Sequence, residues 1–118
     1  MSRLRLAVVV GVLVVFIGIG AYLIFANQSA GKNVTINVSV TGAKTMKPSE
    51  LSSHLNDTVT INITSDTDGE VHLHGYDIHF NTKAGQTVSG TFKADKAARF
   101  AIEWESTGTA LGNLTVNP

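Results

Sequence analysis

Apolar side chains recur at every second position in several short segments between Val34 and Pro118. This period places alternate side chains on opposite faces of an extended chain, so each segment predicts a β-strand with one buried face. Clusters of turn-forming residues (SDTDG, NTKAGQ, ADKAA and STGT) separate the segments. Several short strands at this spacing predict an all-β sandwich or barrel. The predicted inward residues are Val34, Ile36, Val38, Val40, Val59, Ile61, Ile63, Val71, Leu73, Val88, Phe92, Phe100, Ile102, Trp104, Leu114 and Val116.

An uncharged run from Leu6 to Ala26 follows Arg3 and Arg5. A helix that spans a bilayer needs about 20 apolar residues, so the run predicts a single transmembrane helix. Its length, and the lack of a good cleavage site after it, favour an uncleaved signal-anchor over a cleaved signal peptide. By the positive-inside rule, residues 1–5 are then cytoplasmic, residues 27–33 form a linker, and residues 34–118 form an extracytoplasmic domain of a single-pass membrane protein.

Charge and cysteine content exclude several classes of function. After residue 26 the chain has seven Lys and Arg, nine Asp and Glu, and no basic cluster, which argues against nucleic-acid binding. The lack of cysteine excludes disulfides, thiolate metal sites, iron–sulfur clusters, a lipoprotein anchor and a cysteine nucleophile. No Ser-His-Asp order, carboxylate pair or glycine-rich phosphate loop stands out, so we expect a protein that is not an enzyme.

Three of the four histidines lie in EVHLHGYDIHF, residues 70–80. His72 and His74 leave one face of a predicted strand because they are two residues apart. The apolar residues change parity after Gly75, so we expect a β-bulge within GYD that returns His79 to that face. Three imidazoles on one face form a candidate site for copper or zinc, with His72 and His74 as the stronger pair. A fourth ligand is sought among the acidic residues at alternate positions before them, which are Asp66, Asp68 and Glu70.

The competing interpretation is that these histidines only form the polar side of an exported strand. Other candidate ligands have similar alternatives. His54 is predicted in a loop, and Met46 in a loop is either a Cu(I) ligand or a partly buried anchor. DTDGE lacks the rest of a calcium-binding EF-hand loop and predicts a plain turn. Glu103 and Glu105 are interpreted as the solvated face of a strand, and KPSELSSHL predicts a short helical turn.

The segments KPSELSSHLNDTVTINITS, VHLHGYDIHF and RFAIEWESTGTALGNLTVNP together resemble the cupredoxins, the Greek-key β-sandwich family that includes plastocyanin, azurin and amicyanin. KPSELSSHLNDTVTINITS resembles the family's entry into its second main strand. VHLHGYDIHF resembles the segment with the first copper histidine, and RFAIEWESTGTALGNLTVNP resembles the last two strands, which enclose the ligand loop. The resemblance covers nearly all of Val34–Pro118 and implies a cupredoxin-like Greek-key β-sandwich.

The copper ligands of that family are largely missing here. Counting back from Gly112 with the family's shortest ligand loop places Trp104 at the cysteine, Thr107 at the histidine and Ala110 at the methionine, leaving only His74. A type 1 copper centre depends on a thiolate beside two imidazoles. The resemblance therefore implies a degenerate copper site without a blue chromophore. Trp104 has inward parity, and we expect it to fill the space that the metal leaves.

Three functions remain open on the sequence. The leading one is a non-enzymatic, membrane-anchored, cupredoxin-like domain with a binding or accessory role in metal handling. The second is a copper- or zinc-binding protein that passes its ion to a membrane-protein partner through His72, His74 and His79. The third is a structural or adhesive β-sandwich whose histidines are incidental.

Overall fold

The computed structural model describes residues 31–118, and this part of the chain consists of short strands joined by turns. The predicted cytoplasmic residues 1–5, the transmembrane helix 6–26 and most of the linker 27–33 lie outside it. Within residues 31–118, no helix is long and apolar enough to cross a membrane. The strands are β1 (Asn33–Thr41), β2 (Thr45–Lys47), β3 (Glu50–His54), β4 (Thr58–Ser65), β5 (Gly69–Leu73), β6 (Ile78–Thr82), β7 (Thr87–Lys93), β8 (Ala98–Trp104) and β9 (Thr109–Asn117).

These strands form two sheets. A four-stranded sheet has the order β2-β1-β4-β7, and a five-stranded sheet has the order β3-β9-β8-β5-β6. β1 is parallel to β4 and β3 is parallel to β9, whereas the other paired neighbours are antiparallel. Parallel neighbours cannot be joined by a tight hairpin. The chain accordingly leaves the first sheet after β2, forms β3 in the second sheet, and returns for β4. The predicted all-β, two-sheet architecture is confirmed.

The apolar faces of the two sheets meet in a single core. The alternation predicted from the sequence supplies most of it, and half-buried Ile36, Val88, Phe92 and Phe100 pack against it. Burying one such aliphatic or aromatic side chain contributes roughly 1.5–3 kcal/mol, so this face dominates the stability of the domain. The predicted residues that are buried are Val38, Val40, Val59, Ile61, Ile63, Val71, Leu73, Ile102, Trp104, Leu114 and Val116.

Two strands lie where the sequence predicts other structure. Residues Glu50–His54 form β3, with Leu51 and Ser53 buried, so the predicted helical turn in KPSELSSHL is wrong. The hydrogen bonds of β3 come from the distant strand β9, which a local pattern does not reveal. Met46 is buried within β2 and pairs with Val40, so its placement in a loop is also wrong.

The centre of the outer face of the four-stranded sheet carries neutral polar side chains. Thr60 pairs with Thr91 (Oγ1–Oγ1 2.9 Å), and Thr64 pairs with Thr87 (2.8 Å). Between these pairs, the Asn62 amide donates to Asn37 Oδ1 at 2.8 Å. Ser89 Oγ donates to Asn62 Oδ1 at 2.5 Å. We call this surface the neutral face.

Candidate metal centre

His72 and His79 lie opposite each other on adjacent strands. Their Cα atoms are partners in the antiparallel pairing of β5 with β6, so both side chains leave the outer face of the five-stranded sheet. His74 follows the end of β5, and its backbone N–H donates to Ala101 O at 2.9 Å. The structure therefore brings the three predicted histidines together, but through a hairpin. The expected β-bulge within GYD is wrong, because residues 74–77 form the turn between two strands.

The turn fixes the position of Asp77. Gly75 has a φ of 87°, and a Cβ at this position would overlap the ring of Phe100, so the turn requires glycine. Asp77 has a φ of 52°, a left-handed conformation that aspartate adopts more readily than most residues. The Tyr76 hydroxyl donates to Lys96 O at 2.9 Å and accepts from Lys96 N–H at 3.1 Å. These contacts hold the turn against the connection between β7 and β8.

The imidazole rings are in direct contact. The rings of His72 and His79 stack with centroids 4.2 Å apart and an angle of 8° between their planes. The ring of His74 is 4.3 Å from that of His72, tilted by 48°. His72 lies between the other two and retains only 13% of its side-chain exposure, against 43% for each of them.

Two Nε2 atoms meet at one carboxylate oxygen. Asp77 Oδ1 is 3.0 Å from His72 Nε2 and 3.0 Å from His79 Nε2. The hydrogen bonds from His72 and then from His79 hold the pKa of Asp77 below its usual value. A single oxygen of Asp77 thus accepts hydrogen bonds from two rings, although the side chain of Asp77 is 82% exposed.

The Nδ1 atoms of the same two rings face glutamates. His79 Nδ1 is 2.6 Å from Glu70 Oε2, and this contact is the largest cause of a raised pKa for His79. His72 Nδ1 is 3.2 Å from Glu105 Oε2, but the angle does not make a hydrogen bond. That nitrogen is buried and has no hydrogen-bond partner within the described residues. A buried polar atom left unpaired costs roughly 1–3 kcal/mol, so this nitrogen stands out.

His74 makes a separate contact on the β8 side of the cluster. Its Nε2 is 2.7 Å from Glu103 Oε1, and Glu103 is the cross-strand partner of His72. Two overlapping donor groups result, each with its ligand atoms within 4.8 Å of one another. One consists of His72, Asp77 and His79, and the other of His72, His74 and Glu103. Imidazole nitrogens and carboxylate oxygens suit Zn(II) and Cu(II).

The sequence found the histidines but missed most of their carboxylate partners. Of the three acidic residues proposed as a fourth ligand, Glu70 alone contacts a histidine. The other two accept backbone hydrogen bonds instead, Asp66 from Gly42 N–H at 2.9 Å and Asp68 from Ala84 N–H at 2.7 Å. The interpretation of Glu103 and Glu105 as merely solvated is wrong, because they face His74 and His72. The one available signal was their alternation on a strand beside the histidines. His54 ends β3 instead of lying in a loop, and within residues 31–118 it belongs to neither donor group.

The positions aligned with cupredoxin copper ligands lie elsewhere. Trp104 is buried, with 4% exposure, and its ring packs so closely on Gly69 that a Cβ there would overlap it. Thr107 and Ala110 are exposed. Trp104 pairs with Val71, whereas His74 lies three residues further along, roughly 10 Å away at strand spacing. His74 is therefore not beside Trp104, Thr107 and Ala110, the positions aligned with the other copper ligands. The ring of Trp104 lies in the core.

Solved copper proteins share this fold. A copper-binding protein in its apo form matches with a TM-score of 0.60 at 14% identity, covering 73% of this chain and 96% of that one. A chain of a haem-copper terminal oxidase dimer matches with a TM-score of 0.64 at 14% identity, covering 97% and 99%. Auracyanin A, a blue copper protein from Chloroflexus aurantiacus, matches with a TM-score of 0.54 at 17% identity, covering 72% and 99%. These likenesses establish a cupredoxin-like fold.

No protein-family model matches the chain, and no curated protein matches it.

Proposed function

We propose that this chain is a non-enzymatic, cupredoxin-like protein that a single N-terminal helix anchors in the membrane and that binds a divalent copper or zinc ion outside the cytoplasm. The ion binds His72 Nε2, His79 Nε2 and Asp77 Oδ1. The observation that carries the proposal is the position of Asp77 Oδ1, 3.0 Å from both nitrogens. Zinc binds His nitrogen at about 2.0–2.1 Å, which separates tetrahedral ligand atoms by roughly 3.3 Å. The two distances are near that separation.

A metal ion replaces both hydrogen bonds at this oxygen. Without an ion, one carboxylate oxygen accepts hydrogen bonds from two rings that stack 4.2 Å apart, which uses both of its acceptor positions. An ion takes the lone pairs of both nitrogens and the charge of Asp77 together. Glu70 then accepts the Nδ1–H of His79, the carboxylate–histidine–metal arrangement that orients metal-binding imidazoles.

The donor set determines the kind of copper chemistry. A blue centre needs a thiolate ligand, and this chain contains no cysteine. Cu(II) in this site is therefore expected to show weak d–d absorption and no intense blue band. Such a band on adding Cu(II) would contradict the degenerate-site interpretation.

The exposure of the ligands favours handling an ion over storing it. The side chains of Asp77 and His79 are 82% and 43% exposed, so an incoming partner can reach two of the three ligands directly. This supports the transfer of copper or zinc to a membrane-protein partner.

The same contacts support a second function. The pairs of His79 with Glu70, His72 with Glu105 and His74 with Glu103 link β6, β5 and β8 without an ion. In that case the cluster is a structural feature of a β-sandwich with an adhesive or scaffolding role.

Calorimetric titration separates the two functions. Cu(II) and Zn(II) are titrated into the full-length chain in a mild detergent, as wild type and as Asp77→Asn and His79→Ala variants. We expect binding to wild type and at least about tenfold weaker binding to each variant. Even the loss of a residue that only orients a metal ligand lowers metal affinity by about 10–100-fold.

His54→Ala is the matched control, because it removes an exposed histidine outside both donor groups. It is expected to bind as wild type does. Equal affinity in wild type, Asp77→Asn and His79→Ala would eliminate this site, and no binding to any of them would favour the structural function.

A further inference from the structure

The imidazole of His72 separates two different environments. Its Nε2 faces the β6 side of the sheet, where Asp77 and His79 lie. Its Nδ1 faces β8, where Glu105 Oε2 is 3.2 Å away. The two nitrogens lie on different sides of the ring, and both can bind metal ions once the ring has lost its N–H proton. His72 is also the residue that the two donor groups share.

The β8 side has its own set of donor atoms. His72 and Glu103 are directly opposite in the pairing of β5 with β8, and His74 Nε2 is 2.7 Å from Glu103 Oε1. Glu105, two residues beyond Glu103 on the same alternating face, approaches His72 Nδ1. The carboxylate of Glu105 thus lies beside the nitrogen that the ion on the β6 side leaves unused, and His74 and Glu103 form a donor group with the same ring.

The lack of a hydrogen-bond partner for His72 Nδ1 within residues 31–118 indicates that this atom is available to bind an ion. This atom is buried and has no hydrogen-bond partner within residues 31–118, although a carboxylate oxygen is only 3.2 Å away. If His72 held only the ion on the β6 side, its Nδ1–H would donate to that carboxylate, as the other ring nitrogen of a metal-binding histidine usually does. Glu105 is near but misaligned for that bond, while Glu103 and His74 add donors that an orienting contact does not need.

We propose that the β8 side is a second divalent-metal position, formed by His72 Nδ1, His74 Nε2 and a carboxylate oxygen of Glu103, so that His72 bridges two ions; this rests on the proposed function of the β6 side. Glu105 supplies a further oxygen. On binding of the second ion, the proton on Nδ1 leaves to solvent and the ring becomes an imidazolate. No electron transfer is involved, and the charge of the added ion is balanced by Glu103 and Glu105.

Native mass spectrometry of the full-length chain, released from detergent after titration with Zn(II) or Cu(II), counts the ions. We expect about two ions per chain for wild type and for His54→Ala. For the double variant His74→Ala/Glu103→Gln we expect about one ion, with the affinity of the remaining ion within about threefold of the tighter wild-type step. Circular dichroism verifies that each variant keeps its β-sheet spectrum.

Each outcome separates the two proposals. One ion in wild type, unchanged in the double variant, would refute the second position and leave the proposed function intact. Two ions in both proteins would place the second ion elsewhere and refute the assignment. No ion in wild type would remove the proposed function, and this inference with it.

Electron paramagnetic resonance tests the bridge. Two Cu(II) ions joined through one imidazolate couple magnetically, so the doubly loaded protein is expected to lose most of the signal of two separate ions. Replacing one ion with Zn(II) should restore the signal of a single Cu(II). A full signal from the protein with two Cu(II) ions would show that His72 does not bridge them.

Discussion

The two sheets present polar outer faces of very different character. On the neutral face, uncharged side chains form separate pairs across the strands, as Thr60 does with Thr91 and Thr64 with Thr87. On the outer face of the five-stranded sheet, titratable groups share partners, and Asp77 Oδ1 serves two rings at once. Both faces arise from the same alternation of polar and apolar residues. Polar alternation therefore predicts an exposed face, whereas a cluster of titratable groups with shared partners indicates a candidate binding site.

A second comparison is between the histidine cluster and the position where a cupredoxin would hold copper. The latter is filled by Trp104, which packs on Gly69 inside the core, so that region contributes stability. The cluster lies on the outside of the same sheet and contributes little to the core. The proposed metal site therefore uses a different surface of the fold.

The largest expected effect tests this second comparison. Trp104→Ala removes a buried ring and leaves a cavity, and we expect it to destabilise the domain by about 3–5 kcal/mol. Trp104→Phe, which keeps an aromatic ring, should cost clearly less. Urea unfolding followed by circular dichroism measures both. A Trp104→Ala protein of nearly wild-type stability would mean that the ring does not fill the core.

The next effect tests the comparison of the two faces. His72→Ala removes the ring common to both donor groups and should weaken Cu(II) binding by at least about a hundredfold, which is about 2.7 kcal/mol. Asn62→Ala is the matched change on the neutral face, since Asn62 bonds to both Asn37 and Ser89. Calorimetry should find its Cu(II) affinity unchanged. Comparable losses in the two variants would erase the distinction between the faces.

Asp57 and Asp77 show the same difference between separate and shared hydrogen-bond partners. Asp57 is buried, and its two oxygens accept from different donors: Oδ1 from Lys32 N–H at 2.9 Å and Oδ2 from His54 N–H at 2.8 Å. These two backbone hydrogen bonds are the main reason that the pKa of Asp57 is lowered. Asp57 thus resembles the neutral face, with one partner for each oxygen, unlike Asp77.

The lowered pKa of Asp57 determines the sign of its pH dependence. The folded state favours the carboxylate, so its contribution is present above the unfolded pKa of about 3.9 and is lost as pH falls through the lower folded pKa. Asp57→Asn should therefore cost about 1.5–3 kcal/mol at neutral pH and progressively less below about pH 4.

Urea unfolding of wild type and Asp57→Asn across this pH range measures the difference. Asp95→Asn is the comparison, because that side chain is exposed and its replacement should change stability little at any pH. A cost for Asp57→Asn that did not depend on pH would contradict the role of its charge.

The sequence predicted the core well because the core depends on alternation. Val59, Ile61 and Ile63 on β4 are buried as expected, and the burial of Trp104 follows the same parity. β2 and β3 were missed since each offers at most two inward side chains, and their pairing partners are distant in sequence. A two-residue period also cannot distinguish a bulge from a short turn, because both change parity, so β6 was not recognised as a separate strand.

The candidate site depended on information that alternation does not contain. Asp77 lies in a turn, where no strand pattern applies, and its place above two rings follows from the left-handed backbone at that residue. Glu103 meets His74, and Glu105 meets His72, only through the register of β5 with β8. Register is set by the whole sheet, so a local pattern gives the side of a strand on which a residue lies but not its neighbours.

The smallest expected effect belongs to the neutral face itself. Thr60 and Thr91 are cross-strand partners on β4 and β7, and their hydroxyls are 2.9 Å apart. Cross-strand pairs of this kind contribute roughly 0.2–1 kcal/mol, so a double-mutant cycle of Thr60→Val and Thr91→Val should give a coupling energy in that range. Urea unfolding measures the cycle. Cu(II) affinity should stay unchanged in all three variants because neither threonine belongs to a donor group. A coupling energy well above 1 kcal/mol would mean that the threonine pairs act as a network, and a change in Cu(II) affinity would mean that the two faces are coupled through the core.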